Sequence, residues 1–282
     1  VPFDGAATLG WPGARYAPDA VRRHLAWMTS RVECEQIYWV DNDDVVPFPA
    51  ATFTDLGDVD VVPHDLAMTL SATRHEVMAA VAAGLVPLVV GGDDSILFPA
   101  VAGLHDASQG EVAVVHFDAH LDVLDESDAQ GRFSQSSGMR RAMELERVRP
   151  DRSAQVGVRN FNFPSSKRWI DETGLLEIPA RRVHRRGIDW VVETVTARLG
   201  QTSQLFVAID IDVLDPAYAP GVGWHEPGGL TSNQMFGLLE ALAPRASGVC
   251  LNEVNPMTDH REQTAILASN LLFHAMAAAV AA

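Results

Sequence analysis

Two apolar runs in this chain each end in closely spaced carboxylates, and that pairing restricts the fold more than any other feature. Residues 112–115, Val-Ala-Val-Val, lead into His116-Phe117-Asp118-Ala119-His120-Leu121-Asp122. Residues 205–208, Leu-Phe-Val-Ala, lead into Ile209-Asp210-Ile211-Asp212-Val213-Leu214-Asp215-Pro216. Neither run alternates apolar with polar residues. Such runs suit strands covered on both faces, as in a parallel sheet between two helical layers. Residues two apart on a strand point the same way. Asp210 and Asp212 are therefore expected to face one point. Asp118, His120 and Asp122 should converge on it from a neighbouring strand end and loop.

The remaining pattern agrees with that architecture. Val21, Leu25 and Met28 recur at helical spacing behind Pro18, which predicts a helix over 17–28. Further helices are expected over 71–83, 96–105, 189–198, 234–242 and 263–282. Strands are expected over 36–39, 86–90, 112–117, 155–158, 175–178, 205–211 and 248–254. The acidic, proline-containing segment 42–49 reads as loop, and 124–137 is polar without clear periodicity. Alternating strands and helices predict an α/β fold, three layers α/β/α, with a mostly parallel central sheet. No linker, repeat or low-complexity tract divides the chain, so one catalytic domain over 1–282 is expected.

Composition narrows the function. Of 282 residues, 47% are apolar, which is enough for a sizeable core. A net charge of -16 with no basic stripe argues against a nucleic-acid partner. The same field tolerates a cationic small substrate, although acidic surfaces are common for other reasons. The two cysteines, Cys34 and Cys250, form neither a CxxC pair nor a disulfide lattice, so a reducing, cytoplasmic setting is expected. The first residues show no signal-like segment. No stretch reads as long and apolar enough to span a bilayer, the Ala-rich 272–282 included, so no membrane partner is expected.

Asp118, Asp122, Asp210 and Asp212 bring four carboxylates to one sheet edge, and His120 adds an imidazole. A lone Asp is more often a cap or loop former. Four of them in apolar surroundings repel one another unless cations neutralise them. Mixed carboxylate and imidazole donors suit Mn²⁺, with other divalent transition metals possible. Two such ions sharing a water can deliver it as hydroxide, which makes hydrolysis the default chemistry.

The same residues carry a resemblance that spans almost the whole chain. Its ordered set comprises Val1-Pro2-Phe3-Asp4, Pro12-Gly13-Ala14-Arg15, Gly91-Gly92-Asp93, Asp118-Ala119-His120-Leu121-Asp122 and Asp210 to Pro216. Pro220-Gly221-Val222-Gly223, Gly228-Gly229-Leu230, Glu253-Val254-Asn255-Pro256 and Thr264-Ala265 complete it. The chain thereby resembles the ureohydrolases: arginases, agmatinases and related amidinohydrolases. The resemblance implies an arginase-like fold and two Mn²⁺ per chain. It implies hydrolysis of a small guanidino or amidino substrate by a metal-bridging hydroxide, and a homo-oligomer, trimer or hexamer. By that likeness Asp122 and Asp210 bridge the ions, Asp118 and Asp212 are terminal ligands, and His120 binds the second ion. Asp122 also steadies the attacking hydroxide, and Glu253 accepts hydrogen bonds from the guanidinium.

Several positions depart from the family pattern. Asp94 stands where the family has His after Gly-Gly-Asp. Asp94 then ligates the first metal directly or through water, or only hydrogen-bonds beside a weak first site, or marks a degenerate relative. Gln135 stands where a second family histidine moves protons; Gln can only hydrogen-bond a substrate. Asn162 replaces an Asp that helps hold the α-amino group in arginases. Trp224-His225-Glu226 replaces a Thr-Pro entrance, and His225 is the candidate substitute for the missing proton carrier. Its plainer reading is a loop residue touching substrate or a neighbouring subunit. Cys250 reads as a small buried apolar residue. These departures argue against routine L-arginine breakdown. They favour a specialised substrate such as N-hydroxy-L-arginine, with agmatine, a guanidino acid or formiminoglutamate as alternatives. The rival class is a non-catalytic relative that keeps the fold for binding.

Overall fold

A computed structural model describes residues 1–5 and 8–281. Its strands are β1 (Gln36–Trp39), β2 (Asp44–Pro47), β3 (Leu88–Val90), β4 (Val112–Phe117), β5 (Ala154–Val156), β6 (Leu176–Ile178), β7 (Gln204–Asp210) and β8 (Ala246–Asn252). Its helices are α1 (Ala17–Thr29), α2 (Leu66–Ala82), α3 (Leu97–Ala107), α4 (Gly138–Met143), α5 (Pro164–Thr173), α6 (Ala180–Arg186), α7 (Ile188–Leu199), α8 (Ser232–Leu242) and α9 (Gln263–Ala281).

Six strands form one sheet in the order β3-β8-β7-β4-β5-β6, and every pairing in it is parallel. All of β4 is buried, as its unbroken apolar run requires. Side-chain alternation divides the core into two layers. Ala113, Val115, Phe117, Val207 and Ile209 pack with α1 and α6 to α9 on one face. Val112, Val114, Phe206 and Ala208 pack with α2 to α5 on the other. The fold is therefore three-layered α/β/α, as expected.

From β4 the chain steps outward through β5 and β6, then returns to place β7 on the other side of β4. The boundary between β4 and β7 is the point where winding reverses. Helical connections leave opposite faces there, and a crevice opens beyond the strand C-termini. Both Asp motifs end on these two strands.

Several local expectations change. The segment read as loop contains β2, which pairs antiparallel with β1. Flanking Asp and Pro residues hide so short a strand, yet Val46 is buried and Phe48 stacks on Phe273 at 4.8 Å. Helix α2 begins at Leu66 rather than 71, because the Asp65 carboxylate accepts from the Met68 amide. Short, charged α5 and α6 bury only two residues each and show no clear apolar stripe. Helix α9 has 19 residues and is apolar enough to cross a bilayer, contrary to the expectation that no stretch is. In the fold, 61% of that stretch is buried, and it packs on α1 and α8. The expected last residue of this helix, Ala282, lies outside the described residues.

Candidate metal centre

At the β4 end, His116 and Asp118 share one face of the sheet and are fully buried. His116 Nε2 lies 3.2 Å from Asp118 Oδ2 and 3.8 Å from Asp94 Oδ1. Asp94 opens the 3₁₀ turn Asp94–Ile96 that leads into α3. Asn252, the last residue of β8, and Glu253 just after it hold Asp94 there. Asn252 Nδ2 donates to Asp94 Oδ1 at 2.9 Å, and the Asp94 amide donates to Glu253 Oε1 at 2.9 Å.

A second group adjoins the first. His120 Nδ1 lies 3.0 Å from Asp212 Oδ2 and 3.6 Å from Asp118 Oδ1. The strand β7 ends at Asp210, and Asp212 arrives through the following 3₁₀ turn rather than by strand alternation. Asp210 Oδ1 caps that turn by accepting from the Asp212 amide at 2.8 Å. Donor atoms of Asp94, His116 and Asp118 all lie within 4.8 Å of one another, and so do those of Asp118, His120 and Asp212.

Asp118 belongs to both groups. The resemblance gave that bridging position to Asp122 and Asp210, which join neither three-residue group among the described residues. Both are nevertheless close enough to feel its charge. Burial, then Asp118 and Asp94, push the Asp122 carboxyl well above the ordinary range. Burial, then Asp212 and Asp118, do the same to Asp210.

The electrostatics describe a site short of positive charge. Burial, then Asp93 and Asp94, also drive Glu253 well upward. Burial raises Asp118, with Asp212 adding to the rise against the two imidazoles. Burial opposes charge on His120, but Asp212 and Asp118 outweigh it and raise its pKa to about 12. Asp212 is held low, since His120 overcomes the burial penalty. Several buried donor atoms here have no hydrogen-bond partner: Asp94 Oδ2, His116 Nε2 and Asp118 Oδ2. Carboxylates with raised pKa values beside unpartnered ligand atoms are the mark of a cation site. The donor set fits a pair of divalent ions. Asp122 and Glu253 also sit at φ 48° and 64°, left-handed conformations that cost energy away from glycine.

Around this centre the other expected residues are placed as follows. Half-buried Gln135 donates from Nε2 to the Leu9 carbonyl at 3.3 Å, and its buried Oε1 has no partner. Asn162 is exposed, and its Oδ1 accepts from the Phe163 amide at 2.8 Å. His225 is exposed, with Nε2 2.7 Å from the Pro220 carbonyl oxygen. Its neighbour Glu226 reaches inward to within 3.8 Å of His120 Nε2, steadied by Trp224 Nε1 at 3.1 Å and by Asn160. Cys250 is a buried, free thiol in the α2–α5 face of the core.

The Arginase family model matches residues 1–278. The chain belongs to the arginase family. Guanidinopropionase of Pseudomonas aeruginosa is 31% identical, over 97% of this chain and 83% of that protein. Mitochondrial agmatinase of Gallus gallus is 30% identical, over 97% of this chain and 77% of that protein. Formimidoylglutamase of Bacillus subtilis shares the fold, with a TM-score of 0.86 at 24% identity, over 98% of this chain and 84% of the other. The guanidinopropionase and the agmatinase carry names for different substrates, so family membership fixes the type of site and leaves the substrate open. The centre is accordingly a ureohydrolase-type metal site, suited to hydrolysing a guanidino or amidino C–N bond.

His116, Asn252 and Gln155, whose amide nitrogen lies 3.4 Å from His116 Nδ1, are residues that sequence reasoning did not place in the site, and Glu226 was read only as part of the entrance. For His116 a signal was present. It precedes Asp118 by two on the same strand, the spacing that drew attention to Asp210 and Asp212. Asn252 and Gln155 gave no such signal, because buried amides in strands become meaningful only when their partners are known.

Proposed function

We propose that this chain, acting as one catalytic unit over 1–282, is a manganese-dependent hydrolase with two Mn²⁺ per chain. It cleaves a C–N bond of a linear guanidino or amidino compound and releases urea or a urea-like product. The carrying observation is the pair of donor groups joined at Asp118, which hold buried ligand atoms without hydrogen-bond partners where the sheet changes winding direction. Asp94, Asp118, His120, Asp122, Asp210 and Asp212 are the proposed metal-site residues. When bound, the ions would supply a hydroxide nucleophile at neutral pH.

The chain's own groups then bind and orient the substrate. Glu253 is proposed to accept N–H bonds from the guanidinium, which holds the plane of the reacting carbon. Its backbone is fixed by donation to the Gly92 carbonyl at 2.8 Å. Gln135 offers its unpartnered Oε1 to a substrate N–H. Asn162 contacts the far end of the substrate, and Asp122 orients the attacking group. His225 supplies the proton carrier that Gln135 cannot be. The chain works as a trimer or hexamer in a cytoplasmic setting, without nucleic-acid or membrane partners.

The preferred substrate is a specialised one such as N-hydroxy-L-arginine. Asp94, Gln135 and Asn162 support this, because each replaces a residue suited to ordinary arginine. Agmatine, guanidino acids and formiminoglutamate are the competing substrates; the two relatives above bear names of the first two kinds, and the formimidoylglutamase shares the fold. A manganese-loaded panel that measures urea, hydroxyurea, formamide and ammonia separately decides among them. The expected result is hydroxyurea from N-hydroxy-L-arginine at a kcat/KM well above that for L-arginine. Two bound Mn²⁺ without turnover of any guanidine or amidine would leave a binding protein instead.

A further inference from the structure

The family likeness places an imidazole for the first ion at position 94, and this chain has a carboxylate there. We propose that His116 supplies the missing imidazole, so that the first ion is held by Asp94, His116 and Asp118. This rests on the two-metal reading above and assigns one residue within it.

His116 comes from the interior of β4, whereas position 94 belongs to the turn before α3. The two nonetheless meet, because His116 points to the α2–α5 face where that turn packs. The ring is fully buried, and Nε2 is among the buried atoms without a hydrogen-bond partner. So are Asp94 Oδ2 and Asp118 Oδ2. His116 Nε2 stands 3.2 Å from one carboxylate and 3.8 Å from the other. Ligands about 2.1 Å from one ion sit about 3 Å apart at right angles. The observed separations thus need only a small contraction.

The Asp94 oxygen that stands 3.8 Å from His116 Nε2, Oδ1, also accepts from Asn252 Nδ2 at 2.9 Å, which holds the carboxylate beside the ring while Oδ2 has no protein partner. An acidic side chain buried this deeply would be costly if its neighbour were a second carboxylate alone. The substitution is therefore coherent in charge and in donor count. A short carboxylate at 94 leaves room, and an imidazole from β4, separated from β3 by two strands, fills the nitrogen position.

Ligation through Nε2 requires the proton on Nδ1, which faces Gln155. The Gln155 amide nitrogen lies 3.4 Å from Nδ1 and 2.6 Å from the Leu121 carbonyl, and its Oε1 is buried without a partner. Offering that oxygen to the Nδ1–H means giving up the bond to the Leu121 carbonyl, so binding of the first ion is expected to move the Gln155 side chain.

The test uses the full chain grown with ¹⁵N-labelled histidine and loaded with MnCl₂. Metal analysis gives ions per chain, and pulsed EPR counts the imidazole nitrogens coupled to manganese. The expected result is two ions and two coupled imidazoles. His116→Ala should then weaken binding of one ion by about 100-fold or more, and adding Asp94→His should restore it. Two ions with a single coupled imidazole would overturn the assignment and leave the two-metal reading intact. So would a His116→Ala protein that keeps both ions at unchanged affinity. A wild-type chain that binds no manganese would sink the wider reading together with this one. The imidazole count is made on the wild type, so it decides the matter even if His116→Ala does not fold.

Discussion

Glu253 and His225 carry the sharpest residue-scale expectations. Glu253 is buried and keeps one oxygen on the Asp94 amide, so Glu253→Gln can preserve that contact while losing the charge. A hydrogen bond to a charged group contributes about 1.5–3 kcal/mol, so kcat/KM should fall by about 10- to 100-fold. Metal analysis should still find both ions; loss of an ion would make Glu253 a support of the metal site instead. His225 is proposed as a proton carrier, and removal of such a group costs about 10²-fold or more. His225→Ala should therefore lower turnover and remove one limb of the pH profile. Glu226→Gln is the comparison, because Glu226 is the neighbouring entrance carboxylate and lies 3.8 Å from His120 Nε2, and its effect should appear chiefly in KM. An unchanged pH profile in His225→Ala would return that residue to a loop role.

At the scale of elements, the turn after β3 is the tightest packing around the centre. A Cβ on Gly92 would lie 1.4 Å from the Phe3 carbonyl oxygen, which itself accepts from the Asp93 amide. The Gly92 carbonyl in turn receives the Glu253 amide. Gly92→Ala must therefore push the first residues away from a turn that also presents Asp94. Overpacking of this kind costs about 1–3 kcal/mol, and occasionally more. Urea unfolding should show the loss, and manganese binding should weaken in parallel. A variant with wild-type stability would mean that the first residues relax freely. The elements also show where local patterns ran out. The long apolar runs β4 and β7 were legible because burial on both faces leaves no polar residue in them. The strand β2 was not, since a four-residue strand that begins at Asp44 and ends at Pro47 has no period to read. Helices α5 and α6 bury so little that their sequences look like solvated loops.

For the whole molecule, the acidic centre couples stability to pH and to metal. Asp122, Asp210 and Glu253 have raised pKa values when folded, so the folded chain binds more protons than the unfolded one above about pH 4. Their contribution falls as pH rises through that window. His120, raised to about 12, stabilises fully below about pH 6.5 and loses its contribution above it. Both signs agree. The metal-free protein should melt at progressively lower temperature between pH 6 and 8.5, and added Mn²⁺ should raise Tm most at the high end. Thermal melts in chelator and in manganese, across that range, check this; a flat metal-free profile would refute it. The sequence by itself determined the layered α/β class, the sheet edge that bears the chemistry, and the carboxylates that demand cations. Those follow from local rules: apolar runs, two-residue alternation and mutual repulsion of like charges. Only the tertiary structure decided that Asp118 is shared by both donor groups, that Asn252 fixes Asp94, and that His116 faces the same point from inside a strand. These contacts join residues as far as 158 positions apart, and no local pattern encodes which buried atoms will meet when β8, β7 and β4 lie side by side.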